Sequence, residues 1–274
     1  MFIVFGTPRS GTTLVAGSLS LHEDIVVPDE TDFIIPTAFL LDRIKDAAKG
    51  RRLIAELIVS TERFPHSIGR FLKAEEVVEA VEAAEYGLAP ILEEIYGRVG
   101  RKAARSIVGD KSPNDLVYAR VLMKHGLVGS EIKVVHLVRD IRDVLLSLAE
   151  AQPHDAAELN LYFARQWAQS NLLLQDIYAG RREQYFFLRY EDLVADPAAW
   201  FARLAGFLGA DFRKEMLEGS NRAVPLQAFS GHRNLGQPIR QRRGDWRSAL
   251  PAEIQARCLV QAREALDRFG YPAE

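Results

Sequence analysis

A single cysteine, Cys258, stands in 274 residues, so no intrachain disulfide can form and the chain reads as the product of a reducing compartment. Cys258 itself falls in a helical pattern and reads as a buried core residue. No apolar run approaches the ~20 residues needed to span a bilayer. The first residues lack the basic stretch, apolar run and small-residue cleavage site of a secretory leader. The cytoplasm is therefore the expected location. Charge of one sign is missing too: 35 Lys and Arg stand against 37 Asp and Glu, a formal −2. That balance gives no global reason to expect nucleic acid or an anionic membrane as partner, so an anion site has to come from local clusters of basic residues. Internal repeats and low-complexity tracts are absent.

What is present, 48% hydrophobic and 26% charged residues, suffices for a sizeable core and one domain over 1–274. Phe2-Ile3-Val4-Phe5 is a short apolar run ending at Gly6, the pattern of a strand buried on both faces. A helix follows the loop Thr7–Thr12, with Leu14, Val15, Leu19 and Leu21 on one face, and Pro28 prevents its continuation. Residues 37–105 carry apolar positions at helical spacing and read as a helical insertion. Apolar stretches return at 106–109, 133–138 and 185–188, each followed by a helical pattern. Strands alternating with helices predict an α/β fold of the P-loop type, three layers with a central parallel sheet. Leu159, Phe163, Trp167, Leu174 and Ile177 keep one helical face that stops at Gly180, with Trp167 read as core, and a last helix is expected over 251–269.

Gly6-Thr7-Pro8-Arg9-Ser10-Gly11-Thr12-Thr13, between a buried strand and a helix, offers backbone N–H groups and a helix N-terminus to an anion. The nucleoside-triphosphate loop has lysine where this chain has Thr12, so ATP hydrolysis is disfavoured. Arg9 brings a fork of five donors that can hold a 5′-phosphate and the oxygen bridging to a transferred group.

The segment Thr7–Thr13 resembles the 5′-phosphosulfate loop of sulfotransferases that use 3′-phosphoadenosine-5′-phosphosulfate (PAPS). The resemblance implies an arginine at the end of a later strand and a serine eight residues on, together holding the 3′-phosphate; Arg139 and Ser147 fit. Arg142 and Asp143, between them, read as a solvated first turn. Leu188-Arg189-Tyr190-Glu191-Asp192-Leu193 resembles the segment whose tyrosine lies against the adenine. Arg240-Gln241-Arg242-Arg243-Gly244-Asp245-Trp246 resembles the family's late basic segment, so Arg242, Arg243 and Gly244 are implied to fold over the 3′-phosphate. Five arginines against one aspartate from Arg233 to Arg247 suit a loop, 220–246, that an anion orders. The implied binding set is thus Arg9, Ser10, Gly11, Thr12, Thr13, Arg139, Ser147, Tyr190, Arg242, Arg243 and Gly244.

For the chemistry, Asp29-Glu30-Thr31 resembles the Glu-Glu-Thr stretch of tyrosylprotein sulfotransferases, whose second glutamate is the base, so Glu30 is implied as base. His22 is the rival and is read as structural. Gly109-Asp110-Lys111-Ser112-Pro113 resembles the family's lysine turn, placing Lys111 with Arg9 beside the leaving oxygen. Sulfuryl transfer needs in-line placement, charge stabilisation and a base, with no metal obligatory, and no metal site is expected. The implied product is 3′-phosphoadenosine-5′-phosphate (PAP). The resemblance covers 2–36 and 107–209 with a fragment at 240–246. Tyrosylprotein enzymes have arginine where this chain has Asp32, and a membrane anchor and disulfides. The chain therefore looks closer to soluble bacterial enzymes acting on a hydroxyl of a small metabolite, lipid or carbohydrate. Two other classes stay open: a small-molecule kinase with a degenerate loop, and a non-catalytic nucleotide-binding protein.

Overall fold

Four consecutive apolar residues make the first strand, β1 (Phe2–Phe5), and all four are buried. A strand apolar on both faces needs cover on both, the condition of a parallel sheet enclosed by helices. The computed structural model, which describes residues 1–151, 157–218, 239 and 246–272, supplies it. After β1 come α1 (Thr12–Leu19) and β2 (Ile25–Val26), then α2 (Ile34–Arg43), α3 (Ala47–Ser60), α4 (Ala74–Ala83) and α5 (Leu88–Ala103). Next are β3 (Ile107–Lys111), a 3₁₀ segment Pro113–Tyr118, α6 (Ala119–Lys124), β4 (Lys133–Val138), α7 (Ile141–Ala151), α8 (Ala157–Ile177) and β5 (Tyr185–Arg189). The chain ends with α9 (Tyr190–Ala195), α10 (Pro197–Leu208), α11 (Trp246–Ala249) and α12 (Ala252–Arg268). The strands are all parallel, in the order β2-β3-β1-β4-β5. This is the expected α/β arrangement of a central parallel sheet between helices.

β1 therefore lies between β3 and β4, neither of which is its neighbour in sequence, and the chain crosses β1 to pass from β3 to β4. Loops leaving such a switch point diverge and open a crevice at the carboxyl edge of the strands. The glycine loop after β1, Lys111 at the end of β3 and Arg139 just past β4 all reach this edge.

The pleat of β1 sorts the core. Ile3 and Phe5 pack with α2–α5, whereas Phe2 and Val4 pack with α1 and α10. A third cluster joins α7, α8 and α12 around Trp167 and Cys258. Burial pushes the Cys258 thiol up to about 12, so it stays a protonated core residue, as expected. Local signals work where their physics is complete: Asp196 accepts from the Ala199 N–H, Pro197 opens α10, and Gly209 closes it at φ 89.

Three differences from the sequence reading concern the site. β3 runs two residues past Gly109, so Asp110 and Lys111 belong to the strand rather than to a turn. α1 stops at Leu19, well before Pro28, because Ser20 and His22 turn the chain: the Ser20 hydroxyl donates to the Ala16 carbonyl and accepts from the Val27 N–H. α2 starts at Ile34, with Pro36 inside its first turn, where a missing N–H breaks no helical bond.

Phe2 of β1 sits opposite Gly109 of β3, and a Cβ on Gly109 would lie 2.3 Å from the Phe2 ring. Gly109→Ala should therefore lower stability by about 1–3 kcal/mol, the usual cost of overpacking, read as a lower urea midpoint. An unchanged midpoint would mean that the two strands part without cost.

Candidate active site

The loop from β1 to α1 is held by backbone geometry. Ser10 N–H donates to the Thr7 carbonyl at 3.0 Å; Arg9 and Gly11 take φ of 73° and 100°. A Cβ on Gly6 would lie 2.6 Å from the Leu137 carbonyl oxygen, and one on Gly11 would lie 2.7 Å from the Tyr190 ring. The first N–H groups of α1, beginning at Thr12, have no helical acceptor and face the crevice as an anion site.

The implied binding residues converge on this loop. Arg9 Nε donates to Ser147 Oγ at 3.1 Å, and Arg139 Nη1 donates to the Arg9 carbonyl at 3.0 Å. The Arg139 guanidinium lies 4.6 Å from the centre of the Tyr190 ring, whose edge covers Gly11. Two buried polar atoms here have no protein partner, Ser10 Oγ and Arg139 Nε. Buried polar groups are ordinarily paired, and these two are exceptions beside the loop. Arg242, Arg243 and Gly244 lie outside the described residues, as does nearly all of the 220–246 loop.

Next to the loop is a second group. Lys111, with its side chain 3% exposed, places Nζ 2.5 Å from Glu30 Oε1, 3.7 Å from Asp29 Oδ1 and 3.4 Å from Thr13 Oγ1. Arg63, from the helical insertion, reaches Glu30 Oε2 at 3.3 Å and also pairs with Asp32. Burial pulls the Arg63 guanidinium down, but the carboxylates of Glu30, Asp32 and Asp29 more than reverse this and leave it raised. The acidic turn is thus a charge-matched wall of the crevice. Beneath it Asp110 accepts from Thr31, Tyr96 and Ser112. Burial raises the Asp110 carboxyl against those donors. Thr31 thereby ties the residue after Glu30 to the strand that carries Lys111.

The first turn of α7 corrects the sequence reading. Arg142 is fully buried, not solvated. Its guanidinium makes two bonds to the Asp140 carboxylate at 2.9 and 2.7 Å, donates to the Pro272 carbonyl and stacks 3.7 Å from the centre of the Trp246 ring. Asp143 is buried as well, with Oδ1 unpartnered. His22 is engaged on both sides, with Nε2 2.9 Å from the Asp211 carbonyl and Nδ1 accepting from the Asp24 N–H, so its ring pins the end of α1. The sequence analysis missed Arg63, Tyr96 and Asp110. Only Asp110, beside Lys111, carried a local signal, since a carboxylate at the carboxyl end of a buried strand needs partners.

Burial, opposed by Arg139 and reinforced by Asp140 and Glu191, pushes the Asp143 carboxyl up to about 7. The folded chain keeps a proton that the unfolded chain releases near pH ~4. The cost to stability therefore grows as pH rises from about 4 through 7. Asp143→Asn, neutral throughout, should gain more thermal stability over the parent at pH 8 than at pH 5. Equal differences at both would show Asp143 to be ionised in the fold.

A model of the sulfotransferase family matches residues 2–214. Over 166 residues the chain is 27% identical to carbohydrate sulfotransferase 4 of Mus musculus, an alignment covering 51% of this chain and 42% of that one. Over 186 residues it is 27% identical to cytosolic sulfotransferase 17 of Arabidopsis thaliana, covering 55% and 54%. The chain thus spans about half the length of the curated relatives it matches. In backbone it is similar to the sulfotransferase domain of the Synechococcus PCC 7002 olefin synthase, with TM-score 0.65, 24% identity and coverage of 99% and 94%. A sulfotransferase domain from the curacin biosynthetic pathway gives 0.66, 18%, 100% and 98%; these two likenesses bear on the fold alone. With most of its length matched by the family model, beginning at the strand that leads into the glycine loop, the chain belongs to the sulfotransferase family.

Proposed function

We propose that the donor is PAPS and that the acceptor is a hydroxyl of a small metabolite, lipid or carbohydrate, with Glu30 as base. The observation that carries this is Lys111: one sheltered ammonium lies between Glu30 Oε1 at 2.5 Å and Thr13 Oγ1 at 3.4 Å. A single cation thus joins the carboxylate on the acceptor side to the loop on the donor side.

The residues fit a nucleoside phosphorylated at both ends. The loop N–H groups, Arg9, Ser10, Thr12 and Thr13 hold the 5′ end; Arg139 and Ser147 hold the 3′-phosphate; Tyr190 offers a ring face to the adenine. Arg242, Arg243 and Gly244 complete the 3′ site on the strength of the family resemblance. PAPS supplies the sulfuryl group and is released as PAP. Glu30 takes the proton of the acceptor hydroxyl as that oxygen bonds to sulfur. Arg9 and Lys111 offset the charge gathering on the oxygen that departs. Arg63, 3.3 Å from Glu30 Oε2, holds that carboxylate in place, and the helical insertion that carries it shapes the acceptor side. The reaction takes place in the cytoplasm, where a lone buried thiol needs no protection.

Calorimetric titration with PAP, with ATP and Mg²⁺ run alongside, tests the donor. Binding of PAP without binding of ATP is expected; the reverse would make the enzyme a kinase with an altered loop. Arg139→Ala should weaken PAP by about 1.5–3 kcal/mol, the usual worth of a hydrogen bond to a charged group, and AMP far less. Equal weakening would remove Arg139 from the 3′-phosphate. Glu30→Gln keeps the shape of the side chain and should bind PAP as the parent does while losing most turnover; retained turnover would remove Glu30 as base.

A further inference from the structure

Glu30 lies where the chain has neither strand nor helix, in the stretch 27–33 between β2 and α2. No ladder or helical turn places it, so its position depends on side-chain bonds. Two consecutive residues of β3 supply them.

Successive side chains of a strand point to opposite faces of the sheet. Asp110 pairs in register with Ile3 and Lys111 with Val4. Ile3 packs with α2–α5, whereas Val4 packs with α1. Asp110 therefore faces the helical insertion, and Lys111 faces the glycine loop. The turn straddles the end of the strand. On one face Lys111 Nζ lies 2.5 Å from Glu30 Oε1; on the other Thr31 Oγ1 donates to Asp110 Oδ1 at 3.1 Å. Adjacent residues of the turn are thus bound by adjacent residues of the strand.

The insertion fixes the second of these bonds. Asp110 and Tyr96 of α5 are both fully buried, and the Tyr96 hydroxyl donates to the same Asp110 oxygen that accepts from Thr31. Burial, with Asp110 beside it, raises the Tyr96 phenol well above its ordinary value, so it keeps its proton to donate. The Tyr96 ring stacks on Phe33, two residues beyond Thr31, with centroids 6.4 Å apart. Ser112 donates to the other Asp110 oxygen. All three partners are hydroxyls, which hold a carboxyl by direction rather than by charge.

We propose that Asp110 is a positioning residue for the transfer: through Thr31 it sets the turn so that Glu30 meets Lys111, and through Tyr96 it ties that fit to α5 of the insertion. This rests on the reading of Glu30 as base. Lys111 alone would hold the carboxylate at one point, at the end of a flexible stem, and leave the chain on either side free to swing. A second bond one residue on fixes the direction of the turn as well as its place. A misplacement of about 1 Å at a reacting group costs on the order of a hundredfold in rate, so the second bond belongs to the chemistry and not only to the fold.

The test reads PAP released from PAPS, with water in place of the acceptor hydroxyl, and the affinity for PAP measured by calorimetry. Thr31→Val keeps the shape of the side chain and removes the hydroxyl. It should slow release by about tenfold or more and leave PAP affinity as in the parent, because Arg139 and Ser147 are untouched. Thr31→Ser returns the hydroxyl and should return the rate. Asp110→Asn should also stay near the parent, since its amide oxygen can accept from Thr31 and Tyr96 while its NH₂ donates to Ser112; Asp110→Ala should be as slow as Thr31→Val. Amide hydrogen exchange supplies a readout that needs no turnover: Thr31→Val should speed exchange over 29–33 and leave 6–13 unchanged. Parent-like exchange over 29–33 in Thr31→Val, a Thr31→Ser protein as slow as Thr31→Val, or an equal loss of PAP affinity overturns the proposal. The Thr31 variants decide it where Asp110→Ala fails to fold, and exchange decides it where the parent releases no PAP. Full release by Glu30→Gln with slow release by Thr31→Val removes Glu30 as base and not Asp110; slow release by Glu30→Gln with full release by Thr31→Val does the opposite.

Discussion

The turn from β1 into α1 has room for no side chain at Gly6 or Gly11, and the rest of the site is built against its bare surface. At Gly6 the carbonyl of Leu137 on β4 comes within 2.6 Å of where a Cβ would be, and at Gly11 the Tyr190 ring lies as close as 2.7 Å. Close approach of two backbones and a ring leaves the loop one conformation, including a left-handed Arg9 at φ 73, a strain tolerated only where the surroundings fix it. Arg139 then lies over the Tyr190 ring and donates to the Arg9 carbonyl, and Ser147, two helical turns farther on, receives Arg9 Nε. Replacing either glycine would displace the surface on which three later segments of the chain rest.

Charge is managed by the same economy of space. Glu30, Asp29 and Asp32 gather on one turn, and the fold answers with Lys111 from a strand and Arg63 from the helical insertion. A buried cation without that answer would cost several kcal/mol. Deeper carboxyls are held above their ordinary range: Asp115 is raised well above it, first by burial and then by Asp110, Asp32 and Glu30. Glu191 is raised by burial although the Asp140 N–H and the Tyr271 hydroxyl donate to it. The cost of crowding acids at a sheet edge falls on residues behind the crevice, and the exposed carboxylates remain matched to cations.

How much of this could be read from sequence follows from how local each determinant is. The strands and helices were legible because their apolar periods are carried by a few consecutive residues, as in Phe2–Phe5. The phosphate loop and the eight-residue spacing of Arg139 and Ser147 were legible because strand, turn and helix fix those positions without help from elsewhere. Arg63 was not, since nothing around Thr61-Glu62-Arg63-Phe64 distinguishes a surface arginine from one that folding carries to Glu30. Arg142 and Asp143 read as a solvated pair because their partners are nonlocal. The Pro272 carbonyl and the Trp246 ring close over Arg142 from the far end of the chain, and no pattern within a helical turn contains them.

The absence of lysine from the phosphate loop and the presence of Lys111 on β3 are one arrangement. A loop lysine projects along the phosphates of a nucleoside triphosphate, whereas Thr12 is buried and leaves that path without a cation. Lys111 pairs in register with Val4 of β1, so its ammonium arrives from the neighbouring strand, beside Thr13 and on the side of Glu30. On the proposed reading, a cation placed there acts on the boundary between donor and acceptor rather than along the donor's own phosphates. Transfer of a group bearing less charge than a phosphoryl would need such help at the bond that breaks, and a strand next to β1 brings the ammonium to Thr13 and Glu30 with no flexible linker. The geometry of the sheet, more than the composition of the loop, sets where the crevice holds its sheltered cation.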